Sequence, residues 1–159
     1  MKSGASIIIV DGDLLDQNVE VIVNAWNRNL IPWWLLIPQG VSGAIKRRAG
    51  YKPFRELGRH GLIPLGGAVE TGAGRLPLRS IIHVAGINLQ WRSSEAAIRA
   101  CVRSALGIAS RKGYRSIAFP LIGAGTGGQA PDKVVAIMQD EAAKADYQGE
   151  VRIVRFRTK

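Results

Sequence analysis

A glycine-rich segment, GAGTGG at residues 123–128, carries the clearest chemical signal in the sequence. Glycine permits positive φ angles and a close approach of the backbone to a ligand. The segment follows an apolar run and precedes Pro131 and Asp132, which are both favourable at the start of a helix. Consecutive backbone N–H groups beside a helix N-terminus bind anions. The segment therefore predicts a phosphate or diphosphate site, and the alternative is a flexible turn between a strand and a helix.

Two common phosphate-binding motifs do not explain this segment. Gly123, Gly125 and Gly128 satisfy the spacing G-x-G-x-x-G, but a dinucleotide-binding unit also needs an acidic residue at the end of the following strand. Here the following predicted strand ends in Arg155 and Phe156. The Gly-Lys-Ser/Thr sequence of a Walker loop is absent from the segment. We therefore expect the phosphate site in a different architecture.

Strands that alternate with helices must position this segment. Short apolar runs predict the strands, and apolar residues at helical spacing predict the helices. Strands are expected at 6–10, 20–25, 67–71, 80–85, 115–120 and 151–156, and helices at 41–60 (with a break near Gly50 and Pro53), 94–113 and 131–145. The first two strands are almost continuously apolar, as strands covered on both faces are, and residues 11–13 are expected to form a turn between them. The alternation predicts one three-layer α/β/α domain over residues 1–159.

The composition indicates a folded, basic chain. Apolar residues make up 47% and charged residues 21% of the 159 residues, which is typical of globular proteins. Twenty-two lysines and arginines against 12 acidic residues give a net charge of +10, which attracts anionic partners or only keeps the protein in solution. The longest strongly apolar run, 30–38, is too short to span a bilayer, and the N-terminus lacks a signal-peptide pattern. A cytoplasmic protein without a membrane partner is expected.

Short motifs lie at the ends of the predicted elements. In chain order they are GDL at 12–14, VNAWN at 23–27, GVSGAI at 40–45, GAV at 67–69, IHVAG at 82–86 and AFP at 118–120, followed by the glycine-rich segment. This ordered set, from about residue 7 to residue 156, resembles the macrodomain family of ADP-ribose-binding modules. The resemblance implies a central mixed sheet of about six strands and a site for ADP-ribose or an ADP-ribosylated target.

The resemblance also implies a role for each site residue. Asp13 would accept a hydrogen bond from the adenine amino group, with the Leu14 N–H nearby, and Asn27 would bind the distal ribose. The other contacts would come from Gly40, Val41 and Ser42 along the diphosphate and distal ribose, from Gly123, Ala124, Gly125, Thr126 and Gly127 around the diphosphate, and from Phe156 against adenine. A carboxylate suits an amino group, and an aromatic ring suits a base. The purely structural alternatives are an Asx turn for Asp13, a backbone cap for Asn27 and a core position for Phe156.

Two features differ from the family pattern. Ser42 stands where hydrolytic macrodomains carry an acidic residue that activates or positions water, and Lys46 stands at the usual histidine position. Serine cannot act as a carboxylate base, so binding is favoured over catalysis. The alternative is an ADP-ribosyl hydrolase or O-acyl-ADP-ribose deacylase with a different mechanism, in which Asn27 is the candidate catalytic residue.

The second difference is the apolar segment 27–40, which contains Trp33 and Trp34 and replaces a run of glycines. It would form a lid over the distal ribose, contact a partner or second subunit, or fill a small core of its own.

A third function, nucleic-acid binding, rests on the net charge and on arginines such as Arg47, Arg48, Arg99 and Arg103. The sequence offers no aromatic-rich strand face or other recognition motif to support it.

Cysteine and histidine residues give no indication of a metal site. Cys101, the single cysteine, lies on the apolar stripe of a predicted helix and is expected in the core. His83 lies inside a predicted strand and is also expected in the core, and His60 is expected at the surface near a helix end. Neither histidine has a second recognisable ligand nearby in the sequence, so no metal and no cofactor are predicted.

Overall fold

The computed structural model of the chain describes residues 5–25, 40–60, 63–86, 94–124 and 130–156, and of residues 40–43 it describes the backbone alone. Within these ranges the strands are β1 (Ser6–Gly12), β2 (Val21–Ala25), β3 (Ala68–Thr71), β4 (Ser80–Val84), β5 (Ser116–Phe119) and β6 (Glu150–Phe156). The helices are α1 (Gly40–Ala49), α2 (Lys52–Arg59), α3 (Glu95–Lys112) and α4 (Pro131–Lys144), and a short 3-10 turn covers Leu14–Asp16.

The six strands form one mixed sheet in the order β1-β6-β5-β2-β4-β3. All neighbouring strands are parallel except β3, which is antiparallel to β4. Parallel neighbours require crossover connections, and helices supply them here. The α/β fold with a six-stranded mixed sheet flanked by helices is therefore confirmed. The carboxyl ends of β1, β6, β5 and β2 meet at one edge of the sheet, where ligands bind in open α/β folds.

Two apolar cores cover the two faces of the sheet. One contains Ile98 of α3 and Met138 of α4, and the other contains Ile45 of α1 and Phe54 of α2. The central strand β2 is buried from Val21 to Asn24, as its apolar sequence predicted. Helices on both sides therefore hold the sheet in place and fix the position of its carboxyl edge.

The prediction that β1 is covered on both faces is wrong. Ile8 and Ile9 are 41% and 36% exposed, because β1 lies at the edge of the sheet and, among the described strands, pairs with β6 alone. The turn also begins later than predicted. Residues 11 and 12 still pair with Arg155 and Phe156, so the chain leaves the strand at Asp13.

Local sequence signals at the helix ends are confirmed. The Ser94 hydroxyl accepts a hydrogen bond from the Ala97 N–H at 3.1 Å and caps α3, and Gly113 ends the helix in the left-handed conformation. The predicted break between α1 and α2 falls at Gly50, where φ is +88°.

Cys101 is buried in the core as predicted, and burial raises the pKa of its thiol to about 12. The cysteine is therefore a protonated core residue.

His83 is fully buried in β4, as predicted, and joins three strands through hydrogen bonds. Asn24 Nδ2 donates to its Nδ1 at 3.0 Å, and its Nε2 donates to Thr71 Oγ1 at 2.8 Å. The Thr71 hydroxyl in turn donates to the Gly72 carbonyl oxygen at 3.0 Å. This direction of the network requires neutral imidazole. Burial accordingly lowers the pKa of His83 to about 3.

Candidate functional site

A cleft of about 680 Å³ opens at the carboxyl edge of the sheet. Its walls come from the ends of β1, β5 and β6, from α1 and from the start of α4. The lining residues are Asp13, Leu14, Leu15, Ala44, Arg47, Pro120, Leu121, Ala124, Pro131, Asp132, Val154, Arg155 and Phe156. The volume lies within the range of small-molecule sites, which are typically a few hundred to about 1,000 Å³.

The pairing of β1 with β6 brings two predicted site residues to the same wall of the cleft. Gly12 is the register partner of Phe156, so Asp13 emerges beside the end of β6. Phe156 is 71% exposed and lines the cleft. The core alternative for Phe156 is therefore wrong.

The Asp13 side chain is fixed by the turn that follows β1. Its Oδ1 accepts a hydrogen bond from the Leu15 N–H at 2.9 Å and caps the 3-10 turn. Its backbone oxygen accepts a second bond from Gln17 Nε2 at 3.0 Å. Asp13 thus forms the Asx turn that was the structural alternative, and it lines the cleft at the same time. The two roles are compatible because a carboxylate has two acceptor oxygens.

The loop after β5 also lines the cleft. Gly123 is buried and has a φ of +84°, a conformation that strongly favours glycine. The next residue, Ala124, lines the cleft, and its N–H donates to the Leu121 carbonyl oxygen at 3.4 Å. Ile122 packs so closely on Gly86 that a Cβ there would lie 2.5 Å from the isoleucine side chain. The start of the glycine-rich segment is therefore held against the end of β4.

Two arginines in the cleft differ in their ion pairs. Arg155 Nε lies 2.8 Å from Asp11 Oδ1, and its Nη1 lies 3.9 Å from Asp132 Oδ1. Arg47, on α1, is exposed and forms no ion pair with any carboxylate of the described residues. The charge of Arg155 is thus largely compensated within the protein, whereas that of Arg47 is available to a ligand.

Several predicted site residues lie outside the described residues. They are Asn27, Gly125, Thr126 and Gly127, together with the apolar segment that contains Trp33 and Trp34. Gly40, Val41 and Ser42 form the first turn of α1, of which the backbone alone is described. Asp13, Leu14, Ala124 and Phe156 are the predicted residues that line the cleft, with Gly123 adjacent to Ala124.

Nine lining residues were not predicted as part of the site. They are Leu15, Ala44, Arg47, Pro120, Leu121, Pro131, Asp132, Val154 and Arg155. Most lie within two residues of the end of a strand or at the start of α4, so the rule that ligands bind at the carboxyl edge could have identified them. Ala44 and Arg47 are three residues apart and therefore lie on one face of α1. The sequence alone does not show that this face lines the cleft.

Most of the arginines that suggested nucleic-acid binding are engaged in ion pairs. Arg48 Nη1 lies 3.2 Å from Asp16, and Arg103 Nη1 lies 3.3 Å from Glu141. Arg99 contacts Glu95, Asp140 and Glu141 at 2.6–3.2 Å, and these hydrogen bonds raise its pKa further above the usual arginine range. Arg99 and Arg103 thus tie α3 to α4, and their charges are compensated within the protein.

In the described ranges no cluster of three or more histidine, cysteine, aspartate or glutamate side chains could hold a metal ion. No helix in the same ranges is both long and apolar enough to cross a membrane.

The fold and the position of the cleft define a macrodomain, and comparison with known proteins agrees. The Macro domain family model matches residues 23–138, and the chain belongs to this family. It is 40% identical over 157 residues to a Macro domain-containing protein of Streptomyces griseus, which covers 93% of this chain and 86% of that protein. It is 38% identical over 136 residues to the O-acetyl-ADP-ribose deacetylase of Escherichia fergusonii, which covers 80% of this chain and 72% of that enzyme.

Two solved structures with bound nucleotides have the same fold. The Oceanobacillus iheyensis macrodomain with ADP has a TM-score of 0.80 and 31% identity, over 94% of this chain and 82% of that one. The Trypanosoma brucei macrodomain in complex with ADP-ribose has a TM-score of 0.82 and 27% identity, over 95% of this chain and 64% of that one. Structural neighbours of this protein therefore bind ADP and ADP-ribose.

Proposed function

We propose that the cleft binds ADP-ribose or ADP-ribosyl groups on a target. The observation that carries the proposal is that Asp13 and Phe156, from adjacent strands, line the same cavity as the loop that begins at Gly123. Asp13 accepts a hydrogen bond from the adenine amino group, and Phe156 packs against the base. The exposure of Phe156 supports this role, because a large aromatic side chain at the mouth of a cleft has no core to fill.

The diphosphate of the ligand lies between two helix starts. α1 begins at Gly40 after β2, and α4 begins at Pro131 after the glycine-rich segment. Their N-terminal N–H groups and those of residues 123–127 form hydrogen bonds with the phosphate oxygens. Asn27 binds the distal ribose. The backbone supplies most of this binding, which fits a site with many glycines and few lysines.

Truncated ligands test this arrangement. Affinity measured by calorimetry should fall in the order ADP-ribose, ADP, AMP and adenosine, because each truncation removes hydrogen bonds to the ribose or phosphates. Each lost charged hydrogen bond is worth about 1.5–3 kcal/mol, so the step from ADP to AMP should exceed about tenfold. Equal affinities for adenosine and ADP-ribose would contradict a diphosphate site.

The alternative function is hydrolysis of an ADP-ribosyl or O-acyl-ADP-ribose bond. The observation that favours it is the similarity to the deacetylase of Escherichia fergusonii. Ser42 cannot supply the carboxylate base of the common mechanism, so a phosphate oxygen of the substrate would hold the attacking water while Asn27 orients the distal ribose.

Product formation separates the two functions. Incubation with O-acetyl-ADP-ribose or an ADP-ribosylated protein should yield free acetate or ADP-ribose if the protein is an enzyme. Asn27→Ala should then reduce turnover more than it reduces affinity for ADP-ribose. Tight binding of ADP-ribose without any product would identify a binding module, and unchanged turnover in Asn27→Ala would remove Asn27 from the mechanism.

A further inference from the structure

Arg47 is a charged residue of the cleft to which the proposed site assigns no group of ADP-ribose. It lies on α1 three residues after Ala44, and both side chains line the cleft with Asp13. Arg48, its neighbour in sequence, instead pairs with Asp16 at 3.2 Å. The other arginine of the cleft, Arg155, is held by Asp11 and Asp132. Among the described residues, Arg47 is therefore the cation of the cleft without a carboxylate partner.

The place of Arg47 along α1 separates it from the proposed diphosphate position. Gly40, the first residue of α1, precedes Arg47 by seven residues, which corresponds to about 10 Å along the helix axis. Asp13, which lines the cleft together with Arg47, belongs to the adenosine end of the proposed site, and Arg48, the next residue of α1, pairs with Asp16 of the turn that follows Asp13. A cation at this end matches no charge of ADP-ribose, because both phosphates of that ligand lie at the other end.

We propose that Arg47 recognises an additional phosphate on the adenosine ribose, so that the preferred ligands are ADP-ribose derivatives extended at the 2′-hydroxyl. The inference rests on the proposed ADP-ribose site and specifies its ligand class. A phosphate monoester carries about −1.5 to −2 charges and three acceptor oxygens, and a guanidinium binds two of them at once. Negative charge near this hydroxyl comes from two sources. One is a 2′-phosphate, and the other is the diphosphate of the next unit of an ADP-ribose chain, which is joined to that hydroxyl through its ribose.

A calorimetric comparison of three ligands tests the proposal. The ligands are ADP-ribose, its adenosine 2′-phosphate derivative and a dimer of ADP-ribose, and the proteins are the wild type, Arg47→Gln and Arg48→Gln. Arg48→Gln is the matched control. It removes the same charge from the next residue of α1, whose side chain pairs with Asp16 and does not line the cleft. Affinity for the 2′-phosphate derivative should exceed that for ADP-ribose by about tenfold in the wild type and in Arg48→Gln. In Arg47→Gln the two affinities should become equal.

The outcomes distinguish the inference from the function on which it rests. A gain for the 2′-phosphate alone identifies a monoester ligand, and a gain for the dimer as well identifies chain ends. Equal wild-type affinities for ADP-ribose and both extended ligands would overturn the inference and leave the ADP-ribose site intact. Equal weakening of all ligands by Arg47→Gln would also overturn it, because an arginine reaching back to the diphosphate would behave in this way. Failure of all three ligands to bind would overturn the proposed function itself.

Discussion

Asp13 links the fold to the cleft at the scale of a single side chain. One carboxylate oxygen accepts the Leu15 N–H and holds the 3-10 turn, and the residue also lines the cleft. Because the cap uses one oxygen, the second remains for the adenine amino group in the proposed complex. The same residue can therefore serve the turn and the ligand without a conformational change.

Asp13→Asn should change the base preference of the site while it preserves the turn. The asparagine oxygen can still cap the Leu15 N–H, since asparagine and aspartate are equally good caps. Its amide nitrogen would then face the base and repel the adenine amino group, but it would donate to the carbonyl oxygen of hypoxanthine. We expect affinity for ADP-ribose to fall about tenfold or more and affinity for the hypoxanthine analogue to rise relative to it.

Titration of both ligands with both proteins measures this effect. The free energy of unfolding of Asp13→Asn should stay close to that of the wild type, which controls for damage to the turn. Equal losses for both ligands would mean that Asp13 does not read the base.

At the scale of elements, the loop between β5 and α4 depends on Gly123 in two ways. Its φ of +84° strongly favours a residue without a Cβ, and the backbone that follows is the proposed diphosphate loop. Gly123→Ala should lower the free energy of unfolding by about 1–2 kcal/mol because of the left-handed strain, and it should also weaken ADP-ribose binding.

Gly113→Ala is the matched control for this substitution. Gly113 has a φ of +72° at the end of α3, and a Cβ there would meet no atom within 4 Å. Urea unfolding should show a comparable loss of stability in both variants, and calorimetry should show weaker binding in Gly123→Ala alone. Weaker binding in Gly113→Ala as well would attribute the effect to general destabilisation.

The elements themselves were largely predictable from local sequence. Ser94, Gly113 and the break at Gly50 act through contacts with their immediate neighbours, so the residue types alone identify them. The exposure of Ile8 and Ile9 was not predictable, because it depends on β1 being an edge strand. An apolar run has the same sequence whether its partner strands lie on one side or on both. The extension of β1 to Gly12 likewise depends on pairing with β6, which is more than 100 residues away.

Site residues were predictable where they belong to a family motif. They were not predictable where the fold alone brings a residue to the cleft. Asp13 and Phe156 were identified through the resemblance, and the structure places both at the cleft. Arg47 and Arg155 carry no motif and reach the cleft because α1 and the end of β6 line it. Their residue types show that both side chains are charged, but not which charge is compensated by an ion pair. Such pairs, for example Arg155 with Asp11, form between strands that are far apart in the sequence.

For the whole molecule, the burial of His83 should make stability depend on pH. The pKa of the folded histidine is about 3, compared with about 6.5 for an unfolded chain. Below pH 6.5 the unfolded state therefore binds a proton that the folded state does not. The contribution of His83 to the free energy of unfolding is fully present above pH 6.5 and is lost progressively as the pH falls toward 3. The loss should reach about 2 kcal/mol at pH 5.

Urea unfolding at pH 7, 6 and 5 measures this dependence in the wild type, His83→Gln and His60→Gln. Glutamine can accept from Asn24 and donate to Thr71 but does not titrate, so His83→Gln should be less stable at pH 7 and show a flatter decline. His60→Gln is the comparison variant. His60 is exposed at the end of α2, and its charge lowers the pKa of His83 less than burial does, so most of the decline should remain in His60→Gln. A wild-type decline retained in His83→Gln would assign the proton uptake to other groups.

Calorimetric titration of the purified protein with ADP-ribose tests the central claim most directly. We expect one site per chain, with a dissociation constant in the micromolar range and a matching rise in melting temperature. An absence of both heat and thermal stabilisation at millimolar ADP-ribose would contradict the assignment of the cleft as an ADP-ribose site.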